Sequence, residues 1–182
     1  MKLNKAMLVL AAAGLLTSAA SYAIDNTGAT SGPQEATATL VVTSVATFDH
    51  NLQAATGIMA GRLADDAVLA TGTVSASHML RSVTLSWERS TNPAISGQGG
   101  DYAQLLPVDS KDPNKMIPVM FKPVGMVSQK QSDNSKVAYS LATSAQTFDY
   151  QIVNAASKVG ESGITISAGS YKMTVDADVE FA

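Results

Sequence analysis

The sequence predicts an all-β sandwich, and three observations carry that expectation. Short alternating runs rich in β-branched residues recur along the chain, separated by clusters of Gly, Pro, Ser and Asn, which is how strands and turns read. No stretch carries the 3.6-residue apolar period of a long amphipathic helix. Near the C-terminus, Tyr171, Met173, Val175, Ala177, Val179 and Phe181 occupy every second position, with Lys172, Thr174, Asp176, Asp178 and Glu180 between them. Successive strand side chains point to opposite faces, so this run has one face for a core and one for water.

Composition narrows the class. With 182 residues, 46% of them hydrophobic and 15% charged, the chain can bury the core of one compact domain. The formal net charge is −3, with no cluster of Lys or Arg, so a nucleic-acid partner is not expected. The absence of Cys excludes a disulfide scaffold and a Cys-ligated zinc or iron–sulfur centre.

The elements follow in order. Lys2 and Lys5, an apolar run over 6–16 and the small-x-small triplet Ser21-Tyr22-Ala23 read as a cleaved secretory signal peptide over 1–23. The apolar run is too short to span a bilayer. Residues 24–35 are small and polar, broken by Gly28, Gly32 and Pro33, and read as an arm. Residues 36–43 then alternate: Ala36, Ala38, Leu40 and Val42 share one face, and Thr37, Thr39, Val41 and Thr43 the other. The expected division is therefore 1–23 signal, 24–44 extension and 45–182 domain.

Within the domain, a short strand is expected over 45–48, closed by a turn at Asp49-His50-Asn51. Residues 52–66 are ambiguous: Ala, Leu and Met favour a short helix, Gly57 and Gly61 oppose it. Strands are expected over 68–77 and 79–87, the second with Val83, Leu85 and Trp87 on one face. Residues 90–101, with Pro93, Gly97, Gly99 and Gly100, read as a loop. Further strands are expected over 102–108, 116–121, 137–142 and 147–153. Pro118 places the second of these at an edge or bulge, and Phe148, Tyr150 and Ile152 share a face of the last. Gly169-Ser170 supplies the turn before the final strand.

No residue pattern points to catalysis, a metal or a cofactor. His50 and His78, the only histidines, lack partners at ligand spacing and read as ordinary edge or surface residues. There is no Gly-x-Ser-x-Gly elbow. Gly97-Gln98-Gly99-Gly100 lacks the Lys and the following helix of a phosphate loop. The oxygen-rich 109–114 stretch contains Lys111 and reads as a plain turn.

An alternating strand behind a polar arm, Glu35-Ala36-Thr37-Ala38-Thr39-Leu40-Val41, and the Ala168-Gly169-Ser170-Tyr171-Lys172 lead into an alternating C-terminal strand, resemble the two ends of chaperone–usher pathway pilins. The likeness is to the Cys-free, self-polymerising subunits of thin fimbriae and capsule-like coats such as the plague capsular antigen. It covers about a quarter of the chain left after signal cleavage, and residues 50–160 carry no matching motif. The resemblance implies an incomplete immunoglobulin-like β-sandwich, completed by a donor strand from a neighbouring subunit. It implies that Ala36, Ala38, Leu40 and Val42 are the donor face. It further implies that Tyr171, Met173, Val175, Ala177, Val179 and Phe181, with the Ala182 carboxylate, line the acceptor groove that a periplasmic chaperone first occupies. The implied partners are identical subunits in a head-to-tail homopolymer, the chaperone, an outer-membrane usher and a host-surface receptor. The implied location, after export through the periplasm, is a surface fimbria. Many pilins of this pathway carry a disulfide and this chain departs from them.

Two alternatives stand beside this expectation. The strand over 36–43 pairs within its own domain instead of being donated. Or the chain is a monomeric secreted carbohydrate-binding or lectin-like module, against which stands an aromatic content of only 5%. A secreted hydrolase is the remotest reading, given two histidines and no Cys.

Overall fold

The computed structural model describes residues 45–109 and 115–182. The expected signal peptide and arm and the expected donor residues Ala36, Ala38, Leu40 and Val42 lie outside the described residues, as do residues 110–114 of the expected turn.

The described residues form nine strands: β1 (Phe48–Ala54), β2 (Gly61–Ala64), β3 (Val68–Trp87), β4 (Tyr102–Leu105), β5 (Ile117–Val124), β6 (Val127–Ser132), β7 (Lys136–Asn154), β8 (Gly163–Ile166) and β9 (Val175–Phe181), with one 3-10 turn at Ala156–Val159. All but β2 and β8, which pair with each other, belong to one antiparallel sheet of order β1-β3-β7-β5-β4, with β6 added on β7 and β9 on β3.

Two long strands carry the sheet. The sequence reads each as two strands, and the physical reason is a change of phase. In β3, beyond Leu69 at its start, the buried side chains are Ala70, Val74 and Leu80, then Val83, Leu85 and Trp87. In β7 they are Val137 and Tyr139, then Phe148, Tyr150 and Ile152. Each set alternates, but the parity switches midway. The switch coincides with irregular register between Ser75 and Leu80 and between Leu80 and Ser82, because extra residues move the pattern to the opposite face and bend the strand. The chain continues through the bend, so the sheet curls and its halves face each other. The first half of β3 holds β1 and the end of β7, while the second half holds β9 and the start of β7. Across the interior, Trp87 of one half stacks on Phe121 of the other, ring centroids 4.3 Å apart and planes within 8°.

Several expectations shift. Asp49, His50 and Asn51 are not a turn but part of β1, paired with Ser75, Val74 and Thr73. Phe48 therefore opens that strand instead of closing one. The 52–66 region holds the end of β1 and then β2, not a helix. The strand expected over 102–108 stops at Leu105. β5 is an interior strand despite Pro118. The Pro118 carbonyl accepts from Ala155 N at 2.8 Å, so its imide nitrogen faces beyond the end of β7, where no ladder carbonyl needs a donor. β6 and β8 have no counterpart in the sequence reading; β6, sequence VSQKQS, is largely exposed and has no apolar alternation to see.

One glycine is set by close approach. Gly72 lies opposite Tyr150, and a Cβ on Gly72 would collide with the Tyr150 ring. Gly72→Ala is therefore expected to displace that buried ring and cost about 1–3 kcal/mol, read as a lowered urea midpoint with an unchanged slope.

Candidate functional site

β1 and β9 lie on the same edge of β3, one on each side of its bend, and among the described residues each pairs with β3 alone. Among the described residues each is therefore the open edge of its half of the sheet. Glu88 N donates to Thr174 O at 3.1 Å. In an antiparallel ladder this fixes the alternation: even-numbered residues of β9 turn their backbone groups to β3, and Val175, Ala177 and Val179 turn theirs outward. In β1, Ala55 N donates to Leu69 O at 2.8 Å and Ser77 N to Thr47 O at 3.0 Å. The outward groups there belong to Phe48, His50, Leu52 and Ala54.

The side chains of those residues form the inner faces. Val175, Ala177, Val179 and Phe181 are only half-buried and pack on the margin of the core, as does Leu52. Asp176, Asp178 and Glu180 are exposed. The alternation over this strand is as the sequence predicts, but its inner face is less covered than that of an internal strand. Tyr171 and Met173 correct the expected boundary, because the strand begins at Val175. The buried Asn92 side chain accounts for this. It donates to Lys172 O at 2.8 Å and accepts from Thr174 N at 2.9 Å, taking the place of a strand partner. Tyr171 bridges Pro107 instead.

At the far end from the bend, the opening widens into a groove of about 430 Å³. Ala54, Ala55 and Ile58 line it on the β1 side, and Tyr171 and Met173 on the β9 side. Its floor is core: Leu69, Leu105, Ile117 and Ile166 are 1–6% exposed. Of the expected groove residues, Tyr171 and Met173 line it, while Val175, Ala177, Val179 and Phe181 lie at the margin of the core. Ala182 lies at the other end, its N–H on Met79 O at 2.8 Å. The β1-side residues of the groove were missed by the sequence reading. Their signal was a small-residue and apolar run, 54–60, too Gly-broken for a helix and too irregular for a strand.

The polar chemistry beside this opening centres on His50. His50 Nε2 lies 2.7 Å from the Tyr150 hydroxyl. Burial pushes the Tyr150 hydroxyl above its ordinary range, so it stays protonated, and the imidazole tautomer sets which of the two groups donates. Burial lowers the His50 pKa below its ordinary 6.5, partly opposed by Asp176. The neutral form is thus favoured in the fold. Stability is complete above about pH 6.5 and declines as the pH falls from there through the lowered folded value. The melting temperature of the wild-type chain is expected to fall more between pH 7 and 5 than that of His50→Gln, and equal slopes would contradict this. Among the described residues no group of three or more His, Cys, Asp or Glu is placed to hold a metal. His78 makes a 3.0 Å contact through Nδ1 to Ser77 Oγ and an edge-on contact to Phe181.

No family model and no curated protein matches the sequence. Solved structures do match. The Salmonella SafD adhesin aligns with a TM-score of 0.53 at 18% identity, over 72% of this chain and 83% of that one. A structure of the AAF fimbriae of enteroaggregative Escherichia coli, described for fibronectin binding and biofilm formation, aligns at 0.55 and 15%, over 75% and 87%. HdaB, the minor tip subunit of the E. coli Hda pilus, aligns at 0.52 and 14%, over 74% and 84%. The fold of this chain is the immunoglobulin-like fold of chaperone–usher fimbrial subunits.

Proposed function

We propose that this chain is a structural subunit of a surface fimbria, and that the opening between β1 and β9 accepts the extension, residues 24–44, of a second copy. The observation that carries the reading is the open β9 edge. Its outward backbone groups and half-buried apolar side chains belong to the same residues, Val175, Ala177 and Val179. An unpaired edge over an apolar groove is a liability in water, and an added strand would satisfy both at once. Ala36, Ala38, Leu40 and Val42 would form the inserted face. Burying Leu40 and Val42 is worth roughly 1.5–3 kcal/mol each, and small Ala side chains suit the shallower parts. Each contact joins unlike surfaces, so copies add head to tail without closing.

The rest of the reading follows the fold likeness and the expected signal peptide. A periplasmic chaperone holds the groove before assembly, with the Ala182 carboxylate at its closed end, and an outer-membrane usher carries the subunit to the surface. There it supports adhesion to host surfaces. The role is non-enzymatic. Against a sugar-stacking module stands the placement of Trp87, Phe121, Tyr139, Phe148 and Tyr150 in the core.

The test is assembly with the chaperone and usher present. Deletion of 24–44 is expected to abolish fibres seen by electron microscopy, and Leu40→Asp to do the same while chaperone capture persists. Normal fibres from the deletion would end this reading.

A further inference from the structure

A second cavity, of about 480 Å³, opens between the Gly-rich loop that follows β3 and the turn that joins β6 to β7. It shares no lining residue with the groove between β1 and β9. Its size falls within the range of about 300–1,000 Å³ that small-molecule sites occupy.

The fold ties the two walls together from beneath. Arg89 donates through Nη1 to Tyr102 O at 2.9 Å, and through Nη2 to Gly100 O at 3.2 Å and Asn134 O at 3.5 Å, so one guanidinium holds both walls. Gly100 N donates to Asp133 O. Ser132 Oγ donates to the buried Asp101 carboxylate at 3.0 Å, and Lys130 Nζ takes its other oxygen at 2.6 Å. The approach is close: a Cβ on Gly99 would collide with Ser132 Oγ.

These ties use backbone groups and a buried charge, and they leave side chains over. Among the described residues the Ser96 and Asn134 side chains, both lining the cavity, make no hydrogen bond. Gln98 Nε2 reaches only Lys158 O, at 3.5 Å. Asp133 Oδ1 accepts from Ser135 N, Ser135 Oγ and Lys136 N at 2.6, 2.8 and 2.8 Å, which fixes the carboxylate while Oδ2 stays open. The backbone N–H groups of Ser135 and Lys136 hold its carboxyl below the usual carboxylate range, so it is an acceptor at neutral pH.

This set selects its ligand by exclusion and by fit. Ala94 and Ile95 are the only apolar side chains in the lining, too few to hold an apolar ligand. No basic side chain lines the cavity, and the Asp133 charge repels anions. A carboxylate, two amides and a hydroxyl offer donors and acceptors in short, planar or rotatable groups, which match adjacent hydroxyls on a ring. We propose that the cleft between residues 94–99 and 132–134 binds a neutral pyranose saccharide, with Asp133, Asn134 and Gln98 on its hydroxyls and Ile95 under a C–H face. The site stands on this chain's own residues. Its use at a surface rests on the fimbrial reading, because a cleft with no aromatic ring in its lining binds weakly alone, and a polymer displaying many copies gains about a hundredfold or more in avidity.

The experiment is an amide NMR titration of the purified chain with the methyl glycosides of galactose, mannose, glucose and N-acetylglucosamine, and with N-acetylneuraminic acid as the anionic probe. Concentrations run to about 50 mM, which reaches millimolar dissociation constants. At least one neutral glycoside is expected to shift the amides of Gly97, Gly99 and Asn134 saturably, and N-acetylneuraminic acid is not. Gln98→Ala combined with Asn134→Ala is expected to weaken that binding at least about tenfold with an unchanged melting temperature. No saturable shift from any of the four, shifts confined to other residues, or full binding by the double variant would overturn the proposal. Fibre assembly of the same variant is scored separately with chaperone and usher. A chain that binds a glycoside but never forms fibres would defeat the fimbrial reading and leave this site standing, and fibres without binding would defeat this inference alone.

Discussion

Trp87→Ala is expected to remove about 3–5 kcal/mol of stability, the largest loss from any single truncation of this core. The indole is 2% exposed, stacks on Phe121 of the opposite half-sheet, and donates through Nε1 to Asp101 O at 3.1 Å. Truncation opens a cavity where the curled halves meet through stacked aromatic rings. Trp87→Phe is the informative control. It keeps a ring for Phe121, losing the hydrogen bond and the smaller part of the indole's volume, and Asp101 O still accepts from Phe121 N at 3.1 Å, so the expected cost is nearer 1–2 kcal/mol. Urea unfolding of the two variants, with similar slopes and well-separated midpoints, checks the ranking. Equal midpoints would mean that the stack contributes little.

The second large effect separates stability from assembly. Val179 is half-buried on the inner face of β9. Val179→Asp in the isolated domain leaves its carboxylate in reach of water, and the expected loss is about 1 kcal/mol of side-chain packing. Once a strand lies over the groove, the same carboxylate is buried without a partner, at about 3–5 kcal/mol. That penalty corresponds to at least about a hundredfold weaker strand acceptance. Fibres should be absent by electron microscopy although the purified domain melts cooperatively, and Val179→Ala should retain both. A Val179→Asp chain that polymerises like wild type would show that β9 does not face the inserted strand.

The contrast between these sites also explains what was legible beforehand. Val83, Leu85 and Trp87, and Phe148, Tyr150 and Ile152, could be read as buried faces because alternation is a local property of the strand. The parity switches in β3 and β7 were visible too, but as gaps between strands. Whether a phase change is a chain break or a bulge depends on what pairs across it, and that is not local. Asp49-His50-Asn51 misled for a related reason. Turn-forming side chains give way to pairing when β3 offers a full ladder and Tyr150 a partner for His50. β6 carried no apolar signal, because Gln, Lys and Ser can line an exposed strand as readily as a loop. Its Lys130 and Ser132 hold the buried carboxylate of Asp101, at 2.6 and 3.0 Å, a contact across 29 and 31 residues that no spacing announces.

By itself the sequence determined the strand-rich class, the core faces, the alternating β9 and the chemistry that Cys-free composition excludes, since each depends on side-chain type and period two. Only the tertiary structure decided that β1 and β9 are both open edges among the described residues, that the 54–60 run and the 171–173 segment flank one groove, and that Thr47 and Ala182 meet β3 two residues apart at its bend. Those are matters of which strands find partners and where a bend brings chain ends together. Pairing between distant segments sets them, and no local pattern encodes it.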